Sequence, residues 1–357
     1  MIGEFENPAS LLEKARRGEG LLPGEVLSLW SQATPADWAA VFECARVLNE
    51  QKFEKKIRFF APLYFSSYCV NDCLYCGFRR SNRLAKRRAL TCEEFLREAK
   101  FLWQEGHRSL LLIAGEHPVY AGVDRIAGYL QVLQKADLAF SVTVEVGPLD
   151  FTGYRTLKAL GVDRCLLFQE TYHRPSYVLV HDGPKKNFDW RLEAMERAVL
   201  AGLGKVGLGI LLGLHSFRED LAGLVGHAWT FKKKFGFFPA TFSFPRLQPA
   251  YGVSVPWAAQ ETVSDEDFEK IIAVSRLAMP SVGIVLTTRE TPAMRKRLIE
   301  LGIGVTHLSA GSSTQPGGYT VEPEERGGQF DLRDHRPLRE VEREVSSQGY
   351  ESVFHGG

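Results

Sequence analysis

Cysteine is too scarce in this chain to staple a fold. Six occur among 357 residues, far below the density of small disulfide-framed secreted domains. An excess of charge of one sign is missing too. Lysine and arginine number 44 against 43 aspartates and glutamates, so no overall field argues for nucleic acid or a membrane surface as a partner. No stretch is long and apolar enough to cross a bilayer. Residues 1–19 carry Glu4, Glu6, Glu13, Lys14, Arg16 and Arg17, which is not the layout of a secretory signal. Internal repeats and low-complexity tracts are absent. The expectation is a protein of the reducing cytoplasm.

The little cysteine present is concentrated. Half of it forms one C-x3-C-x2-C triplet, Cys69, Cys73 and Cys76, just after an apolar run at 59–65. Three thiolates so spaced can hold three irons of a 4Fe–4S cube, whereas a purely electron-carrying cube normally takes four. One iron is left open, and an open position on a metal is a place for chemistry. A structural zinc site would need a fourth Cys or His with its own paired spacing. Cys44, Cys92 and Cys165 are isolated and read as small buried hydrophobes.

Beyond the triplet the pattern is regular. Short β-rich runs at 59–65, 109–114, 140–146, 165–170, 205–212, 241–245, 283–289 and 304–309 alternate with helical stretches. This predicts an α/β fold, a (β/α)8 TIM-type barrel, with a partial six-stranded barrel as the alternative. Residues 1–58 read as an N-terminal helical extension, including an amphipathic helix over 35–56. The barrel is expected over 59–320, and 321–357 as a short C-terminal appendage with a helix near 337–346. Thr91 with Glu94 and Ser264 with Asp267 mark helix starts. Ser141, Thr143 and Glu145 alternate with apolar neighbours, which turns the polar set into the barrel. Catalytic groups of such barrels gather where strands end. There the sequence places Gly115-Glu116-His117, Gln169-Glu170-Thr171, Thr288-Arg289-Glu290 and Ser309-Ala310-Gly311-Ser312.

These segments, with Asn71-Asp72-Cys73-Leu74-Tyr75-Cys76-Gly77-Phe78, Asp189-Trp190-Arg191, Ser243-Phe244-Pro245-Arg246 and Gln315-Pro316-Gly317-Gly318-Tyr319, resemble the aromatic amino acid lyases of the radical S-adenosylmethionine (SAM) superfamily. The likeness runs from about residue 60 to the C-terminus. It is nearest to 2-iminoacetate synthase, the tyrosine lyase of thiazole biosynthesis, and to the tyrosine lyase of hydrogenase maturation. It implies a radical SAM barrel holding a 4Fe–4S cluster and S-adenosyl-L-methionine. The implied reaction cleaves L-tyrosine between Cα and Cβ to p-cresol and 2-iminoacetate (dehydroglycine), for the thiazole of thiamine.

The resemblance also implies roles. Cys69, Cys73 and Cys76 would ligate the cluster. Gly115 and Glu116 would receive the methionine ammonium, although Ala114 stands where the superfamily has glycine. Glu170 and Arg191 would serve the ribose or amino group and the carboxylate of SAM, with Glu145, Tyr75 and Phe78 on the same cofactor side. Arg289 would take the substrate carboxylate, assisted by Ser309 or Ser312, unless Glu290 pairs with it instead. Expected partners are a low-potential electron donor such as flavodoxin or ferredoxin and a thiazole synthase that accepts dehydroglycine. Nucleic acid and membrane are not expected. The basic run 79–88 reads as a solvated loop or a docking face for the acidic donor. Rival readings are a tryptophan lyase, a relative of the maturation enzyme whose second cluster would lack ligands because no cysteine follows Cys165, and an iron–sulfur electron carrier without catalysis.

Overall fold

Each of the eight β-rich runs is a strand in the computed structural model, which describes residues 7–254, 262–323 and 327–354; Glu4 and Glu6 lie outside them. The strands are β1 (Lys56–Ser66), β2 (Ser109–Ala114), β3 (Ser141–Glu145), β4 (Arg164–Glu170), β5 (Val206–Ile210), β6 (Thr241–Ser243), β7 (Gly283–Leu286) and β8 (Val305–Ser309). All pair in parallel with their sequence neighbours, and β1 closes the ring by joining β8 to β2. The closed eight-stranded barrel excludes the six-stranded alternative.

Two features of the sheet were not anticipated. A short β9 (Glu351–Val353) lies parallel against Lys56–Arg58 of β1. The length of β1 permits this, because its start serves β9, its middle β8 and its end β2. The seventh run stops at Leu286 instead of continuing to Arg289. There the Arg333 and Asp334 amides take the Thr288 carbonyl, so Arg289 sits in a turn beyond the strand.

Parity decides what faces inward. In β3, Val142 and Val144 are buried among the surrounding helices, while Ser141, Thr143 and Glu145 line the barrel cavity. Leu110, Leu112, Leu167, Leu208, Ile284 and Leu308 continue the apolar layer, each worth roughly 1.5–3 kcal/mol of burial. Cys44 and Cys165 are buried as small apolar residues. Thr91 and Ser264 cap the helices Cys92–Glu105 and Asp265–Ala278 as the sequence indicates. Three N-terminal helices, Pro8–Arg16, Pro23–Gln32 and Pro35–Phe53, each open on a proline and pack against Phe217–Phe235 and Asp265–Ala278. Among the described residues no helix is long and apolar enough to cross a membrane.

Candidate active site

The loop after β1 carries the three cysteines across the barrel mouth. It is laced to the turn after β2. The Gly115 N–H donates to the Ser66 carbonyl and the Val70 N–H to the Glu116 carbonyl, both at 2.9 Å. A Cβ at Gly115 would stand 2.4 Å from the Tyr68 carbonyl oxygen, so only glycine admits this approach. Arg87 gathers the loop by donating to the carbonyls of Ser67, Phe78, Arg79 and Asn82. Its basic neighbours are also engaged, Arg79 with Asp72, Arg88 with Glu94 and Glu322, and Lys86 with Glu322. Much of the charge in 79–88 therefore folds the loop instead of facing solvent unpaired.

Cys69, Cys73 and Cys76 line one cavity as free thiols. Burial pushes Cys69 up to about 11 and raises Cys73 and Cys76 as well. Without metal the thiols stay protonated, and a bound cation is what would make them thiolates. The Asn71 N–H already points at the Cys69 sulfur, at 3.4 Å. Soft sulfur donors from one short loop, all facing one cavity, are the chemistry that an iron–sulfur cube requires.

Beside the thiols lies a closed ring of buried charge. Lys185 donates to Glu170 at 2.7 Å, and Arg191 reaches the same oxygen at 3.5 Å and Glu116 at 2.7 Å. Asn71 completes the circuit, donating to Glu116 and accepting from the Lys185 backbone N–H, each at 2.8 Å. Arg191 is further fixed by the Phe168 carbonyl at 2.6 Å. Burial opposes ionisation of Glu116, yet Arg191 and Lys185 hold its carboxyl below the usual range. Glu170 reaches the ring through a left-handed backbone, φ 73°, at the bulge where β4 slips against β5. Such a conformation costs a non-glycine residue about 1–3 kcal/mol and marks functional sites. Tyr75 and Phe78 also line the cavity. The Tyr75 hydroxyl meets His181 Nε2 at 2.8 Å while Nδ1 faces the Tyr177 carbonyl, also at 2.8 Å. A carbonyl only accepts, so Nδ1 carries the proton and Tyr75 donates to Nε2.

Arg289 faces the same cavity, near enough for its charge to favour ionisation of Cys76. Its guanidinium stands 3.5 Å above the Phe330 ring and forms no ion pair or hydrogen bond among the described residues. Glu290, the neighbour that could have neutralised it, is taken by Arg246. Ser312 lines the same cavity and its buried hydroxyl has no hydrogen-bond partner among the described residues. Ser309 lies beside it with its carbonyl engaged by Arg295.

Glu145 lines the same cavity, within electrostatic reach of Glu170, Arg289, Arg191 and Lys185. Burial, with Glu170 nearby, pushes its carboxyl up from 4.5 to about 7. The folded chain therefore keeps this proton longer than the unfolded one, so the metal-free protein should lose stability as pH rises from 4.5 through 7. The loss should be about 2 kcal/mol after allowing for the group's exposure to the cavity. Urea unfolding of wild type and Glu145→Gln at pH 5 and pH 8 checks this. The variant should become relatively more stable at pH 8, and parallel curves would refute the assignment.

All of Cys69, Cys73, Cys76, Tyr75, Phe78, Gly115, Glu116, Glu145, Glu170, Arg191, Arg289, Ser309 and Ser312 line this one cavity. Asn71, Lys185, Arg87 and Phe330 were missed as site residues. Asn71 stood inside the cysteine motif, but nothing in its spacing shows that a side-chain amide would bridge two loops. Of the histidines near strand ends, His117 and His173 accept local amide hydrogen bonds, and His307 lines the cavity at the level of Arg58.

Comparison with known proteins agrees with this geometry. Residues 63–227 match the radical SAM superfamily and residues 243–351 the biotin and thiamin synthesis associated domain. The chain is 35% identical to 2-iminoacetate synthase of Escherichia coli (strain K12) over 97% of its own length and 90% of that protein. It superposes on the crystal structure of HydG, a maturase of the FeFe-hydrogenase, with a TM-score of 0.91 and 38% identity, covering 97% of this chain and 76% of that one. For HydG from Carboxydothermus hydrogenoformans the TM-score is 0.88, again at 38% identity, covering 97% and 79%.

Proposed function

The chain belongs to the radical SAM superfamily, in the family of 2-iminoacetate synthase, and from that premise we propose that it cleaves the Cα–Cβ bond of L-tyrosine, giving p-cresol and dehydroglycine. It is a radical SAM lyase whose cofactors are a 4Fe–4S cluster and SAM. When bound, these supply the 5′-deoxyadenosyl radical that removes a hydrogen atom from the substrate amino group. The observation that carries the substrate reading is Arg289, a cavity-facing guanidinium with no ion-pair partner among the described residues.

Protein groups position the reactants. Cys69, Cys73 and Cys76 would hold three irons and leave the fourth to the amino-acid end of SAM. That end is a zwitterion, and the ring of Glu116, Glu170, Lys185 and Arg191 balances two negative against two positive charges. A zwitterion can enter it without changing the net buried charge, which avoids the cost of an unpaired ion. Tyr75 and Phe78 supply apolar faces for adenine. Arg289 offers its planar fork of donors to the tyrosine carboxylate, with the free hydroxyl of Ser312, aided by Ser309, as a further donor. The closed barrel wall keeps water from the radical.

We further place the enzyme in the cytoplasm, reduced by a low-potential flavodoxin or ferredoxin and handing dehydroglycine to a thiazole synthase. The test is anaerobic reconstitution with iron and sulfide, followed by SAM, dithionite, and tyrosine or tryptophan in separate reactions. Deoxyadenosine and p-cresol should form together from tyrosine. Deoxyadenosine without p-cresol would overturn the substrate assignment and leave the superfamily standing.

A further inference from the structure

The segment 327–334 runs as a strap over the barrel mouth and is pinned along its length. The Gly77 N–H of the cysteine loop donates to the Gln329 carbonyl at 2.9 Å, and Gln329 N–H donates to Thr314 at 3.0 Å. The Tyr64 hydroxyl donates to the Gln329 side chain at 2.7 Å, and the Thr314 hydroxyl to the Phe330 carbonyl at 3.0 Å. Asp331, Arg333 and Asp334 follow with amide bonds to Pro249 and Thr288. The approach is close enough to exclude side chains. A Cβ on Gly77 would stand 2.2 Å from the Gly328 carbonyl oxygen, and one on Gly328 2.1 Å from the Thr314 hydroxyl. The backbone on both sides of Phe330 is therefore fixed.

Phe330 lies at the centre of this strap with its ring 3.5 Å from the Arg289 guanidinium carbon. A guanidinium over an aromatic ring is attracted through the ring's negative face, while its N–H donors lie along its own edges. The ring can hold Arg289 in place without occupying the donors a carboxylate needs. A protein carboxylate in that position would hold it as firmly but would compete with substrate. The neighbouring carboxylate is diverted, since Glu290 binds Arg246.

We propose that Phe330 is a positioning residue for Arg289, and that through it the strap selects substrates bearing a free carboxylate. This rests on the tyrosine reading above. Burial lowers the proton affinity of Arg289, but a guanidinium stays charged throughout the working pH range. The contribution of Phe330 is therefore one of geometry and partner choice.

The test compares Phe330→Leu and Phe330→Trp in the full-length reconstituted protein. Readouts are the dissociation constants of tyrosine and of tyramine, which lacks the carboxylate, by anaerobic calorimetry with SAM present, and the KM and kcat for p-cresol formation. In Phe330→Leu, tyrosine should bind about tenfold more weakly, a change of about 1.4 kcal/mol, with kcat within about twofold and tyramine and SAM affinities unmoved. Phe330→Trp, which keeps an aromatic face, should remain near wild type. Equal weakening of tyrosine and tyramine would show that the ring contacts the substrate body and would overturn the proposal. So would a parallel loss of SAM affinity, which would make the strap a general clamp, or a Leu variant indistinguishable from the Trp one. Failure of the underlying reading has a different signature. If wild type makes no p-cresol, or Arg289→Gln leaves tyrosine affinity unchanged, the substrate assignment falls and the Phe330 proposal falls with it.

Discussion

Arg289→Met should lower kcat/KM for p-cresol formation by about three orders of magnitude, roughly 4 kcal/mol, the usual loss when one partner of a desolvated hydrogen-bonded charge pair is removed. The effect should be confined to tyrosine. Iron content, the brown absorbance of the reconstituted protein and slow substrate-free cleavage of SAM should persist, because Arg289 supplies no thiol and, among the described residues, makes no hydrogen bond or ion pair with the Glu116–Arg191 ring. Methionine keeps much of the side-chain volume, so the loss reads out charge and geometry rather than a cavity. The stability cost should be small or reversed, since burial outweighs the pull of Glu170 and Glu145 on the Arg289 charge and among the described residues it forms no ion pair. A variant that turns over tyrosine normally would remove the substrate anchor from this mechanism. One that loses the cluster would show Arg289 to be structural.

The second large effect is expected at Arg191, where stability and cofactor binding should fall together. This guanidinium joins Glu116, Glu170 and the Phe168 carbonyl, and Arg191 is only 5% exposed. Arg191→Met leaves the part-buried Glu116 without its main counter-charge, a loss toward the lower end of the about 3–5 kcal/mol that breaking a buried pair costs. The melting temperature of the metal-free protein should drop by several degrees, and SAM should bind at least tenfold more weakly to the reconstituted variant. Arg191→Lys should recover less than half of either loss, because one ammonium cannot serve three separated acceptors in a planar fork. Unchanged melting and unchanged SAM affinity in Arg191→Met would contradict the ring as described.

Much of this was legible in the sequence because it depends on local pattern. Alternation in 140–146 correctly separated Val142 and Val144, buried outside the barrel, from Thr143 and Glu145 inside it. Residues at the ends of different strands converged because a closed parallel barrel brings every strand end to one rim. The remainder depends on tertiary contacts. Arg289 was expected to end a strand, but strap amides bonding to Thr288 stop β7 early. Lys185 sits in a short loop turn after helix Arg174–Val180, and only the folded chain shows it reaching Glu170. Phe330 carries no signal of its own, being one of 23 phenylalanines. Its importance comes from a contact across 41 positions of sequence with Arg289. Arg87 looked like one charge among many, and its four carbonyl acceptors are visible only once the loop is folded.

The clasp between Gly77 and Gln329 joins segments that a ribosome makes at well-separated times. Roughly 250 residues separate the two, and at about 5–20 residues per second their synthesis takes on the order of 10–50 s. Through that interval the cysteine loop lacks this anchor, since the clasp cannot form before Gln329 has been translated.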